Sequence, residues 1–176
     1  IQTKRATRKF KKEPLPEDAV RKILNAGRRA QSSKNTQPWN FVAVQDKKRL
    51  LDLSACGAYA GHLAGSALGV AIVTPPYTDR FSIMFDAGQA AAYMQLAAWE
   101  QGIGSVPATI YKRDQAKELL GLPDDKICYI ALSFGYPEYE SAITRPRQRG
   151  GRRPFEETVH WETWYLEMWA GLVRPR

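Results

Sequence analysis

Val20, Ile23, Leu24 and Ala26/Gly27 recur at helical spacing and predict one apolar helix face running to about Ala30. Pro14-Leu15-Pro16-Glu17-Asp18 marks the start of that helix, with its acids at the positive end of the helix dipole. Gln31 to Pro38 is polar and predicts a loop, while Trp39 to Val44 alternates and is rich in β-formers, which predicts a strand. Asp46 to Ala55 reads as a short helix with Leu50, Leu51 and Leu53 inward. Ala67 to Thr74 is a short apolar run closed by Pro75-Pro76, and so a buried strand. Met84 to Gln101 carries small apolar residues on several faces; such a helix is packed on all sides, and a subunit interface is one way to achieve that. Gly102-Ile103-Gly104 ends it. Ser105 to Tyr111 is extended, Asp114 to Leu120 is a helix stopped by Gly121-Leu122-Pro123, and Ile127 to Phe134 is a second buried strand ending at Gly135-Tyr136-Pro137. Helices and strands alternate loosely and the strands are few, so a small mixed sheet with helices on both faces is expected.

Composition narrows the class. The chain has 176 residues, 44% hydrophobic and 25% charged, which suits one domain with a full core. No repeat or linker divides it, and a single domain over 1–176 is expected. No run approaches the roughly 18 apolar residues of a membrane span. Ile1 to Arg5 is charged with no apolar stretch behind it, so no signal peptide and a cytoplasmic location are expected. Cys56 and Cys128 lack metal-ligand spacing and read as free buried thiols. The net charge of +8 is uneven: residues 1–29 hold ten Lys/Arg against three Asp/Glu, and 141–176 hold seven against four, while 30–140 hold nine against eleven. A basic excess at both ends fits either a nucleic-acid surface or convergence of the two ends on one compact anion. From about 138 the chain is Arg- and Pro-rich and then aromatic, with Trp161, Trp164, Tyr165 and Trp169. That is more than one core can hide, and it predicts a tail that wraps a partner.

Hydrolytic motifs are missing. There is no GxSxG, HExxH or P-loop, and the GxG at Gly102 and Gly104 lacks the rest of a dinucleotide fingerprint. His62 and His160 are remote from each other, form no metal-ligand pattern, and read as hydrogen-bonded structural residues. Six segments carry the remaining signal: KRATRKF (4–10), SSKNTQPW (32–39), DAGQAA (86–91), GIGS (102–105), GYP (135–137) and RRPFEETVHW (152–161). In this order and spacing they resemble the nitroreductase family of FMN enzymes, across nearly the whole chain. SSKNTQPW and the last block are the most specific.

That resemblance implies an α+β fold with a central mixed or antiparallel sheet flanked by helices. It also implies an intertwined homodimer with FMN at the interface and the segment about 138–176 wrapping the partner. By position in the motifs, Lys4, Arg5, Arg152 and Arg153 would hold the FMN phosphate, which guanidinium groups satisfy bidentately. Ala6 stands where the family commonly has a cofactor-bonding serine, a loss of about 1 kcal/mol. Arg8 would face the pyrimidine edge and stabilise the negative charge that reduction develops at N1–O2. Gln31, Ser32, Ser33 and Asn35 would come from the partner subunit, while Gln37, Pro38 and Trp39 hold the loop in shape. Pro107, Ala108, Thr109 and Ile110 would lie along one ring face. Asp86 is expected as a structural acid, and Tyr59, Tyr77 and Phe81 as rim residues of an open pocket. No residue of the chain itself would be catalytic and no metal is implied. The implied reaction is ping-pong hydride transfer from NADH or NADPH through FMN to a small nitroaromatic or quinone-like acceptor, with neither nucleic acid nor membrane as partner. Reductive dehalogenation, enoyl or ring reduction and flavin breakdown are alternatives on the same fold. A basic nucleic-acid-binding module and a dimeric scaffold without cofactor are alternatives of other kinds.

Overall fold

The two middle strands of the sheet send alternate residues into two separate cores. The computed structural model describes residues 3–139 and 151–164. In chain order the elements are α1 (Glu17–Arg28), a 3-10 turn (Ser33–Asn35), β1 (Asn40–Val44), α2 (Lys47–Ser54), a second 3-10 turn (Gly61–Leu63), β2 (Leu68–Thr74), α3 (Ser82–Glu100), β3 (Gly104–Thr109), α4 (Arg113–Leu120), β4 (Ile127–Gly135) and α5 (Phe155–Thr158). Strand order is β1-β2-β4-β3 with every ladder antiparallel; a parallel component enters through the bridge between Ala6 and Ser105.

β2 is buried along its whole length. Leu68, Val70 and Ile72 join Leu132 and Phe134 of β4 in a core under α1 and α3. Ala71 and Val73 join Ala131 and Cys128 in a core that includes Leu53 of α2 and Ala116 of α4. Strict alternation would put Cys128 and Ile130 on one face. A bulge prevents that: Ile72 pairs with Ile130 and Val73 with Cys128, so Tyr129 is the extra residue. Both thiols are free and buried, as expected. Burial, reinforced by the neighbouring Cys56, pushes the Cys128 thiol up to about 12.

α1 buries Ala19, Val20, Ile23 and Gly27 against α3. A Cβ at Gly27 would stand 2.7 Å from Met94 Cγ, so the absent side chain sets how closely the two helices approach. In α2 the expected inward set is corrected: Leu50 and Leu53 are fully buried, but Leu51 is 58% exposed, because it points about 100° around the helix from Leu50. α3 is likewise packed on one stripe within the chain, through Ile83, Ala87, Ala90, Met94 and Ala98. Phe85 on the other side is 69% exposed, and Met84, Tyr93 and Leu96 are exposed with it. Gly102 (φ +72) and Gly121 (φ +64) follow α3 and α4 in the left-handed conformation that glycine adopts without strain. Among the described residues no helix is long and apolar enough to cross a membrane.

The chain divides into two compact units, Ile1–Arg145 and Pro146–Arg176. In the second, Pro154 precedes the single turn α5, Phe155 meets Trp161 at 6.4 Å between ring centroids, and His160 meets Trp164 at 4.3 Å. The expected aromatics Tyr165 and Trp169, and the stretch 140–150, lie outside the described residues.

The N-terminal segment is held on the first unit by two glycines. A Cβ at Gly104 would come within 2.5 Å of Thr7 Oγ1, and one at Gly135 within 2.9 Å of the Phe10 ring. Gly104→Ala should therefore cost about 1–3 kcal/mol through overpacking and lower Tm by roughly 2–4 °C per kcal/mol. A scanning-calorimetry Tm equal to that of the parent would show that Thr7 does not dock there.

Candidate functional site

Residues 3–11 reach the sheet through backbone hydrogen bonds. Thr7 N–H donates to the Ser105 carbonyl (3.1 Å), Lys11 N–H to that of Tyr136 (2.8 Å), and Glu138 N–H to that of Lys9 (3.1 Å). A bridge pairs Phe10 with Pro137. These contacts bring three motif segments, 4–10, 102–105 and 135–137, to one place at the β3 edge. The cost is visible in two buried hydroxyls, Thr7 Oγ1 and Ser105 Oγ, which have no hydrogen-bond partner.

The docked segment carries the cations. Lys4 is half-buried and its Nζ donates to Gln95 Oε1 on α3 at 2.6 Å; burial pulls its pKa down. Arg5 is half-buried, and Ala6 and Arg8 are exposed. Arg8 lines a cavity of about 130 Å³ with Tyr59, His62, Pro107, Thr109 and Tyr111, and Ala108 contributes to its wall. β3 is an edge strand, which is why it tolerates the proline at 107. Pro107 and Thr109 are exposed on it, whereas Ile110 is fully buried and its N–H is tied to the Tyr129 carbonyl at 2.9 Å.

The loop carrying Tyr59 and His62 is pressed on the end of β3. Gly57 permits it: a Cβ there would stand 2.3 Å from the Thr109 carbonyl oxygen. The N–H groups of Tyr111 and Lys112 both donate to the Cys56 carbonyl, at 2.9 and 3.0 Å. His62 makes the structural hydrogen bond expected of it, from Nδ1 to Ser133 Oγ at 2.8 Å, yet it also lines the Arg8 cavity. Sequence spacing offered no signal for that second property, because His62 arrives through the packing of the Gly61–Leu63 turn. Tyr59, a candidate rim residue, is at the cavity and 89% exposed. Tyr77 instead packs against Tyr129, with ring centroids 5.6 Å apart. Phe81 stands exposed at the head of α3.

The SSKNTQPW loop has a different anchor. Asp86 on α3, 1% exposed, accepts from Ser33 N–H at 3.1 Å and pairs with Arg80 at 3.3 Å. Arg80 also donates to Thr36 Oγ1 at 2.5 Å. Within the loop, Gln37 N–H donates to Ser32 Oγ (2.9 Å) and its side-chain amide to Asn35 Oδ1 (3.1 Å). Lys34, Asn35 and Gln37 all have positive φ, conformations that persist only where surrounding contacts over-determine them. Asp86 thus acts as the structural acid expected, and Arg80 is a partner that the sequence did not single out. Gln31, Ser32, Ser33 and Asn35 are not among the residues lining the Arg8 cavity. Arg152 and Arg153 are exposed in the second unit. A shallow concavity of about 730 Å³ between α1 and β1 includes Gln37 and Trp39 but none of the motif cations. Among the described residues no group of His, Cys, Asp and Glu could hold a metal ion.

This arrangement has counterparts in known proteins. The model of the nitroreductase family matches residues 1–61 and 54–136. A putative NADH dehydrogenase/NAD(P)H nitroreductase of Archaeoglobus fulgidus is 28% identical, covering 93% of this chain and 96% of its own. A 5,6-dimethylbenzimidazole synthase of Rhodospirillum rubrum is 27% identical over 88% of this chain and 89% of its own. Among solved structures, an FMN-dependent nitroreductase from Clostridium difficile superposes with a TM-score of 0.81 at 26% identity, covering 93% of this chain and 97% of that one.

Asp86→Ala would leave the Ser33 N–H and the Arg80 guanidinium without their acceptor. A loss of about 1.5–3 kcal/mol is expected, with faster proteolytic cleavage in 31–37. Unchanged Tm and cleavage rate would show that Asp86 does not hold the loop.

Proposed function

The chain belongs to the nitroreductase family, and from that membership we propose that it binds FMN at the Arg8 cavity and passes reducing equivalents from NADH or NADPH to a small electron-poor acceptor, a nitroaromatic or a quinone. The observation that carries this reading is the convergence of a cation and a flat apolar edge in one cavity: Arg8 beside Pro107, Ala108 and Thr109. When bound, FMN supplies the hydride-accepting and hydride-donating centre used in alternation. The protein's part is to bind, orient and polarise. Arg8 would neutralise negative charge at the pyrimidine edge, and the β3 edge would support the ring. Lys4 and Arg5 would take the phosphate.

The size of the cavity supports a shared site. About 130 Å³ is well below the roughly 300–1,000 Å³ of pockets that hold drug- or cofactor-sized ligands, so the residues present fit one end of FMN and leave the rest to another surface. Gln31, Ser32, Ser33 and Asn35 of a second copy would supply that surface. The exposed apolar side of α3, with Phe85, Tyr93 and Leu96, supports a homodimer in which that face is covered. A second reading keeps the site and changes the reaction: the Rhodospirillum rubrum relative carries the name of a synthase, and one fold hosts many chemistries.

FMN titration followed by flavin fluorescence, then NADH and NADPH oxidation with a panel of nitroaromatic and quinone acceptors, tests the main reading. A protein that neither quenches FMN nor gains thermal stability from it would sink it. Arg8→Ala should weaken FMN binding about 10- to 100-fold, the equivalent of one charge-assisted hydrogen bond, with the Tm of the cofactor-free protein unchanged because Arg8 is exposed. Phe85→Glu should yield a monomer by sedimentation that no longer retains FMN; a monomer that keeps it would exclude the shared site.

A further inference from the structure

His62 offers chemistry that nothing above has used. Its turn is fixed by Ala60 and Leu63, which are buried in the core under α2 and α4. Ser133 Oγ donates to the Val106 carbonyl at 3.3 Å, and that bond uses the only hydroxyl proton. Toward His62 Nδ1, 2.8 Å away, the same oxygen can then only accept. With the hydroxyl proton on that carbonyl, the ring proton lies on Nδ1 and the lone pair on Nε2. Since Nδ1 is engaged inward, Nε2 is the nitrogen left for an occupant of the cavity.

The other groups at the cavity come from the N-terminal segment, the loops carrying Tyr59 and Tyr111, and strands β3 and β4. Arg8 from the N-terminal segment is the one charged side chain among the lining residues; Tyr59 and Tyr111 bring phenols, and Thr109 a hydroxyl from β3. Ser133 stands behind the ring on β4. Burial, and then the charge of Arg8, hold the His62 pKa below the usual imidazole range. A neutral base thus shares the cavity with a cation, and the balance would reverse when an anion enters between them.

We propose that His62 is a redox-linked proton site: neutral while the cavity holds an uncharged ring, and protonated at Nε2 when reduction places negative charge against Arg8. The inference rests on the FMN reading. Its balance is simple. Transfer of hydride from the nicotinamide brings two electrons and one proton and leaves the reduced cofactor with one negative charge; Nε2 takes one further proton from water. When hydride passes to a quinone or nitro group, the oxygen anion formed there takes the proton from Nε2, and His62 returns to its neutral form. His62 would thus be the chain's own proton donor to the acceptor. The sign of the linkage is fixed: the pKa is low with oxidised cofactor and higher with reduced cofactor. Between the two values, reduction takes up two protons per two electrons; above the higher value it takes up one.

The chain has two histidines, so long-range nitrogen–proton NMR of protein labelled at histidine resolves His62, with His160→Gln for assignment. Spectra across pH are recorded without FMN, with oxidised FMN and with FMN reduced anaerobically. The expected result is the Nδ1–H tautomer without FMN and a pKa at least one unit higher in the reduced than in the oxidised complex. In parallel, the pH slope of the midpoint potential should correspond to two protons per two electrons near neutrality in the parent and to one in His62→Gln. Bound FMN with the same His62 pKa in both redox states, or the same slope in parent and variant, overturns this inference and leaves the flavin reading intact. Failure of FMN to bind overturns both.

Discussion

A four-stranded sheet whose two middle strands are buried on both faces leaves its chemistry to the edges. β2 and β4 are committed to packing: alternate residues fill the two cores, and a bulge at Tyr129 shifts the phase of β4 so that Cys128 and Ile130 serve opposite faces. β3, the edge strand, is where backbone and side chains stay available. The N-terminal segment attaches there through Thr7 and Phe10, in space left by Gly104 and Gly135. The position of every cation in 4–8 relative to the β3 edge depends on that docking, and so does the cavity.

The element order was legible because the local signals agreed with one another. Proline and acids open α1, glycines close α3 and α4, and two largely apolar runs became the two central strands. One packing expectation went too far: Leu51 is apolar but lies off the buried face of α2. α3 is apolar on more faces than one chain covers, and its outer face is exposed in the single chain. Composition reports what can be buried, whereas helical phase decides what is. Of the candidate site, the motifs located Arg8 and the 107–110 segment, of which the fold brings Pro107, Ala108 and Thr109 to Arg8 and buries Ile110 behind them. Their spacing could not reveal His62, because its place depends on a turn packed under a distant strand. Nor could it reveal Arg80, whose role appears only once Asp86 and the 31–37 loop are seen to meet.

The two halves of the proposed site are built with different stiffness. The Arg8 half rests on sheet hydrogen bonds and close glycine contacts. The Ser33 half rests on a carboxylate, an arginine and several residues of positive φ. Both are organised within a single chain without the other. Pre-ordered surfaces lose less conformational freedom when they close on a ligand, so closing the site asks little rearrangement of either half.

The buried thiols bear on durability. Peroxides and disulfides attack the thiolate, not the thiol. Cys128 is sealed in the α2/α4 core with its ionisation pushed to about 12, and Cys56 is buried in the same core with its ionisation also pushed up by burial. Neither sulfur offers a nucleophile to an oxidant in the surrounding water. The fold thus keeps both of its thiols in their unreactive form.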